Sequence, residues 1–219
     1  MKIQPLLVLC VFVILGTAQS RAQDPNSLVR VKVKDVKLEQ QMTPDYLPRG
    51  VTEKRWKPKQ WLELDTELDV DVANDLGGKE GVFPALEIKY FVGLNAKSKD
   101  GSKNIVLTST ITYENVPASR PGEAAHALAY ITPSSLKLAL KKDNGGKADV
   151  VAIGLEVHAG GQMLKDAFYS NKGGAWWVGA DKQPDNARFE FQAGAVISKG
   201  KTPFAPLWAD YDLQSKGQE

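Results

Sequence analysis

Leu62-Glu63-Leu64-Asp65-Thr66-Glu67-Leu68-Asp69-Val70-Asp71-Val72 alternates without a break between an apolar or threonine side chain and a carboxylate. Successive side chains of a strand point to opposite faces, so one face of this segment is apolar and the other acidic. That is the pattern of a strand packed on a core along one side. The carboxylates are expected to be solvated. A calcium loop fits poorly, because ligands two residues apart lie in a row and the glycine that turns such a loop is missing.

Two-residue periods continue outward in both directions. Upstream, Val29, Val31 and Val33 alternate with Arg30, Lys32 and Lys34, and Val36 and Leu38 then resume in the opposite parity. The one-residue slip predicts a bulge near Asp35. Downstream, Leu86, Ile88, Tyr90 and Val92 form one apolar row, and Ile105, Leu107, Ser109, Ile111 and Tyr113 form another. Asp100-Gly101 between them marks the turn of a hairpin. Residues 125–131 read as a short strand. Thr132-Pro133 then supplies an N-cap and a proline at the first helical position for a short helix over 136–142. Residues 150–158 form a strand with Val151, Ile153, Leu155 and Val157 inward, and 188–197 and 203–208 close the series. About eight strands with turns rich in Gly, Asp and Asn predict an all-β sandwich carrying a short helix. The proline-punctuated tract 42–59 reads as a long connection, and residues 23–219 as one domain.

The N-terminus carries an address. Lys2, an apolar run over 6–15 and Ser20-Arg21-Ala22 predict a secretory signal peptide, residues 1–22, cut after Ala22. The run is too short to span a bilayer, which takes roughly 20 apolar residues. The mature chain is therefore expected to be secreted or periplasmic, without membrane insertion. The full chain has 28 Lys plus Arg against 26 Asp plus Glu, and removing Lys2 and Arg21 brings the two into balance. A neutral chain without a basic run offers no electrostatic ground for a nucleic-acid partner. Cys10, the single cysteine, leaves with the signal, so the fold must hold outside the cytoplasm without a disulfide. No Asn-x-Ser/Thr acceptor is present, in keeping with a bacterial source.

Catalytic motifs are lacking. There is no Gly-x-Ser-x-Gly elbow, phosphate loop or His-Glu-x-x-His, and no catalytic, cofactor-binding or metal-binding residue is assigned. His158 shares a strand face with Glu156. With His126 on a neighbouring strand they would make a two-histidine, one-carboxylate set, although ordinary strand positions explain both histidines. Carboxylate pairs of the glycosidase type form only in space, so a secreted hydrolase stays open as an alternative. Trp176-Trp177, beside Lys172-Gly173-Gly174, is the candidate interaction site: exposed neighbouring indoles stack on sugars or anchor a protein partner. A carbohydrate-binding module using Trp176 and Trp177 is the first alternative function, with a glycan as its ligand.

Lys201-Thr202-Pro203-Phe204-Ala205-Pro206-Leu207-Trp208-Ala209-Asp210-Tyr211 resembles the closing motif of a family of small secreted proteins of Verrucomicrobia. The best-described member of that family is encoded in a type IV pilus-like gene cluster of Akkermansia. Residues 55–64, two tryptophans leading into the acidic strand, and Tyr130-Ile131-Thr132-Pro133 are similar too. The resemblance implies an immunoglobulin-like β-sandwich and a non-enzymatic role near pilus assembly or surface adhesion, through protein contact or self-association at the cell envelope. No catalytic residues come with it. The chain is not expected to be a pilin, because pilins retain their apolar helix and here the cut removes it.

Intact-mass measurement on protein recovered from the envelope or medium is expected to show a chain beginning at Gln23. A mass that retains residues 2–22 would reverse this expectation and restore the pilin reading.

Overall fold

The alternating segments become nine strands among the described residues, 24–46 and 57–217 of a computed structural model. The predicted signal peptide, Arg55 and Trp56 lie outside the described residues. The strands are β1 (Val29–Met42), β2 (Gln60–Val72), β3 (Val82–Lys97), β4 (Asn104–Pro117), β5 (Ala125–Ile131), β6 (Val150–Ala159), β7 (Gln162–Ser170), β8 (Phe189–Ala193) and β9 (Val196–Ser198). A helical turn, α1 (Pro25–Leu28), precedes β1, and a two-turn helix, α2 (Pro133–Leu140), follows β5. One sheet has the order β1-β2-β5-β9 and the other β7-β6-β3-β4-β8. Strands one, two and five thus face three, six and seven, the immunoglobulin-like division of an all-β sandwich. Every pairing is antiparallel except β4 with β8.

Alternation places the core. Leu62, Leu64, Thr66, Leu68, Val70 and Val72 of β2 are all buried, opposite Leu86, Ile88, Tyr90 and Val92 of β3. The parity slip in β1 is a bulge: Val33 pairs with Leu68 and Asp35 with Glu67, which leaves Lys34 without a partner across the ladder. The extra residue returns Val36 and Leu38 to the inner face. β3 and β4 form the expected hairpin, with Gly101 at φ 77° in its turn. Thr132 caps α2 by accepting from the Ser135 amide at 2.9 Å, with Pro133 in the first turn.

Four expectations from the sequence are corrected. Residues 203–208 are turns, because Pro203 and Pro206 supply no ladder donors, and Phe204 is buried as a plug. Residues 188–197 split at Gly194, φ 73°, so that β8 joins one sheet and β9 the other. β7 was not anticipated at all, since an irregular register beside Asp166, φ 57°, breaks its alternation. Val151 is 43 % exposed, because the register between β3 and β6 skips it: Gly93 pairs with Ala152 and Leu94 with Val150.

Polar atoms also cross the core. The Tyr90 hydroxyl lies 3.4 Å from Thr66 Oγ1 and 3.2 Å from the Tyr113 hydroxyl, which donates to the Leu128 carbonyl at 2.9 Å. The relay runs from β2 through β3 and β4 to β5, so it ties the two sheets together. Burial disfavours the phenolates, pushing Tyr90 up to about 12 and Tyr113 well above its ordinary value. The folded state therefore holds these protons more tightly than the unfolded chain. That stabilisation is complete below the unfolded value of about 10 and is lost as pH rises towards about 12. Tyrosinate absorbance of Tyr90 and Tyr113 is expected to appear together with loss of the far-ultraviolet β signal. Full tyrosine ionisation near pH 10 with the fold intact would refute the relay.

Candidate functional site

The tryptophan pair lies on the outer face of the five-stranded sheet, but it is packed there. Trp177 is fully buried, stacked on Phe91 with ring centroids 4.8 Å apart and planes 13° apart. The indole lies directly on Gly154 of β6, where a Cβ would sit 2.0 Å from a ring carbon. Trp177 Nε1 donates to Glu156 at 2.7 Å. Trp176 meets Trp177 edge-on at 5.5 Å and Phe189 at 5.4 Å. The expectation of an exposed indole pair is thus corrected: Trp177 has no surface for a ligand, and Trp176 is half-buried as a flank of the same aromatic layer. An isolated glycine within the apolar pattern of β6 was the readable signal for this close approach.

The histidines separate. His158 Nε2 and Glu156 Oε2 are 3.0 Å apart, as their shared strand face requires. His126 stands on β5 in the other sheet, so the three-residue set does not assemble. No group of three or more metal-ligating side chains occurs among the described residues.

His126 instead joins the acidic face of β2. Cross-strand pairing sets Glu63 opposite Tyr130 and Glu67 opposite His126, with Asp65 between them. Over this face runs a strap formed by residues 199–217. Phe204 of the strap stacks on Tyr130 at 4.9 Å and meets Trp61 edge-on at 5.7 Å. Glu63 and Asp65 are consequently only 7 % exposed, which corrects the expected solvated face; Asp69 and Asp71, beyond the strap, are exposed. Hydrogen bonds replace the lost hydration. The Tyr130 hydroxyl donates to Glu63, the Tyr211 hydroxyl to Asp65 at 2.6 Å, and His126 Nδ1 faces the second Asp65 oxygen at 2.8 Å. Burial first, and the neighbouring carboxylates second, push the Tyr130 and Tyr211 phenols well above their ordinary value.

The strap is pinned further along. Lys199 donates to Asp212, both side chains being almost fully buried, and also reaches the Trp208 carbonyl. Burial outweighs the ammonium and raises the Asp212 carboxyl above its ordinary value. Trp208 has φ 54°, a left-handed backbone that costs energy in a residue with a large side chain. Past this point the Leu213 amide donates to the His126 carbonyl at 2.7 Å, Glu114 N to Gln214 O at 2.9 Å and Lys216 N to Thr112 O at 2.8 Å. The strap thereby crosses from β5 to β4 and closes one side of the sandwich.

An open cavity of about 690 Å³ beside this seam is lined by Glu114, Asp212, Lys199 and Lys216, among others. Its two acids are unequal: the Asp212 side chain is 4 % exposed and engaged by Lys199. That leaves it no open face for a substrate. Besides Phe168 on β7, the exposed aromatic side chains among the described residues lie on the strap and next to it. Trp208 is 47 %, Tyr211 48 % and Tyr46 49 % exposed, while the Tyr46 hydroxyl donates to the Pro203 carbonyl at 3.2 Å and the Tyr211 ring stacks on His126 at 4.2 Å.

A family model matches residues 22–219, most of the chain. A crystal structure of a protein from Akkermansia muciniphila superposes with a TM-score of 0.69 at 23 % identity, covering 88 % of this chain and 95 % of that one. At that identity the likeness shows the fold. No curated protein matches the chain.

Asp65→Ala strands the Tyr211 hydroxyl and the His126 ring beneath the strap, and is expected to cost about 1–3 kcal/mol in urea unfolding. Asp69→Ala, at an exposed position 3.8 Å from Lys34, is expected to change stability by no more than about 0.5 kcal/mol. Equal effects would mean that the strap does not shield the acidic face.

Proposed function

Since this chain belongs to the Akkermansia-type family whose model spans residues 22–219, we propose that it works outside the cytoplasm by binding proteins and turns over no substrate. It is secreted or periplasmic, and serves as an accessory to a type IV pilus-like or secretion apparatus. The observation that carries the reading is the aromatic surface of the strap. Trp208 and Tyr211 leave about half of their area open on a segment held by a buried ion pair, a phenylalanine plug and the Tyr211–Asp65 bond, and Tyr46, equally open, donates to its Pro203 carbonyl. Aromatic side chains fixed before binding lose little freedom when a partner covers them, which is what makes them contact anchors. The resemblance of residues 201–211 to the closing motif of the pilus-associated family supports the apparatus. The sandwich edges support it less. β1 carries a bulge and a row of cations, β7 is irregular, and β8 and β9 are short, all of which oppose strand addition.

Cross-linking in intact cells followed by mass spectrometry is expected to recover envelope assembly proteins. Trp208→Ala should weaken those links while the melting temperature holds. Unchanged links in this variant would move the contact elsewhere. Glycan hydrolysis by the purified protein, abolished by a single carboxylate substitution, would defeat the non-enzymatic reading.

A further inference from the structure

The strap covers β2 at residues 61–65, and the other end of the same outer face is open. There a groove of about 650 Å³ is lined by Arg30, Lys32 and Lys34 of β1, Asp69 and Asp71 of β2, and Lys79, Glu80 and Arg120 from the two flanking turns. Five basic side chains thus meet three acidic ones, in a chain whose charges balance once residues 1–22 are set aside. Of the five, only Lys34 forms an ion pair among the described residues, at 3.8 Å from Asp69. All five are exposed.

The walls are built. Beyond the reach of β5, the loop after β4 takes over pairing with β2: Ser119 N donates to Val70 O at 2.8 Å, and Val70 N donates to Ser119 Oγ at 2.9 Å. Ala118 N donates to the Gly81 carbonyl at 2.9 Å, which joins the two walls, and a Cβ on Gly81 would sit 2.5 Å from the Leu76 carbonyl oxygen. Arg120 and Lys79 are therefore carried on turns tied to the sheet.

We propose that this groove binds an acidic polypeptide segment in extended conformation. Arg30 and Lys32 project from one face of β1 two residues apart, about 6.8 Å by the rise of a strand. That spacing equals the repeat between alternate side chains of an extended peptide. Their cross-strand neighbours are Asp71 and Asp69. These carboxylates repel a ligand with charge at every few ångströms, such as a nucleic acid or a heavily sulfated glycan, and tolerate one whose carboxylates alternate with neutral residues. The surface is separate from the strap, so its failure leaves the strap reading standing, and the reverse also holds.

Fluorescence anisotropy of a labelled ten-residue Glu-Thr repeat, titrated with the purified protein at low salt, tests this. Saturable binding is expected, weakening as salt rises. Affinity should drop at least about tenfold in Arg30→Glu/Arg120→Glu, and by less than about twofold in Lys172→Glu/Lys182→Glu or Trp208→Ala/Tyr211→Ala. Arg120→Glu alone, on a turn, serves if the double variant fails to melt cooperatively. The proposal is overturned by absence of saturable binding, by equal affinity in the charge-reversed protein, or by tighter binding of a sulfated oligosaccharide of the same net charge.

Discussion

Glu63 and Asp65 project from the face of β2 that alternation marks for water, yet the chain covers them. An ionised carboxylate taken from water without partners is far too costly to survive in a fold of ordinary stability. Four contacts supply the partners: Tyr130 and the weaker 3.4 Å bond from Gln41 to Glu63, and Tyr211 and His126 to Asp65. Two of these residues come from β5, one from β1 and one from the strap, so the acidic face recruits its surroundings. The same strap that brings Tyr211 to Asp65 also seats Phe204 on Tyr130 and joins Lys199 to Asp212. Removal of one partner of such a buried pair costs more than the pair contributes, so the arrangement is specific even where its net stabilisation is small.

The two outer faces of the sandwich are consequently unlike. On the five-stranded sheet, Phe91, Trp176, Trp177, Phe189 and Phe191 pack with Val106 as an aromatic layer; Glu156 anchors it through Trp177 and also meets His158, while Lys89 and Arg188 lie over the Phe91 and Phe189 rings. On the four-stranded sheet the cover is partly polar, and it ends midway along β2. Aromatic rings that lie over an apolar layer become core, as Trp177 does. Rings over a layer of bonded carboxylates keep one side towards solvent, as Tyr211 does. The surface available for recognition therefore follows from which outer face carries charge.

Much of the sandwich was legible from side-chain parity alone. The bulge at Lys34, the hairpin at Asp100-Gly101, the extent of β5 and the cap at Thr132 are local events whose causes lie within a few residues. The failures share a physical character. Val151, the split at Gly194 and the irregular β7 each depend on register with a strand distant in sequence, and register is not written in one segment's alternation. Trp176-Trp177 reads as a surface pair only until Gly154 and Phe91 are placed beneath it. The glycine was visible as an interruption in β6, but its partner is 23 residues downstream.

The amino-acid order by itself determined that the chain forms two-faced strands, which residues of β1 to β4 face the core, and where the β1 bulge, the β3–β4 turn and the α2 cap fall, because those depend on backbone geometry and nearest neighbours. It also marked Lys201 to Tyr211 as a distinctive segment. Only the tertiary structure decided that this segment is a strap and no strand, that Glu63 and Asp65 of the acidic row are buried while Asp69 and Asp71 are left open beside five cations, and that Trp208 and Tyr211 are exposed while Trp177 is not. The reason is that exposure depends on what lies across a face. Glu63 and Asp71 belong to one alternating row, and their fates differ because Tyr130 and the strap stand over the first and solvent over the second.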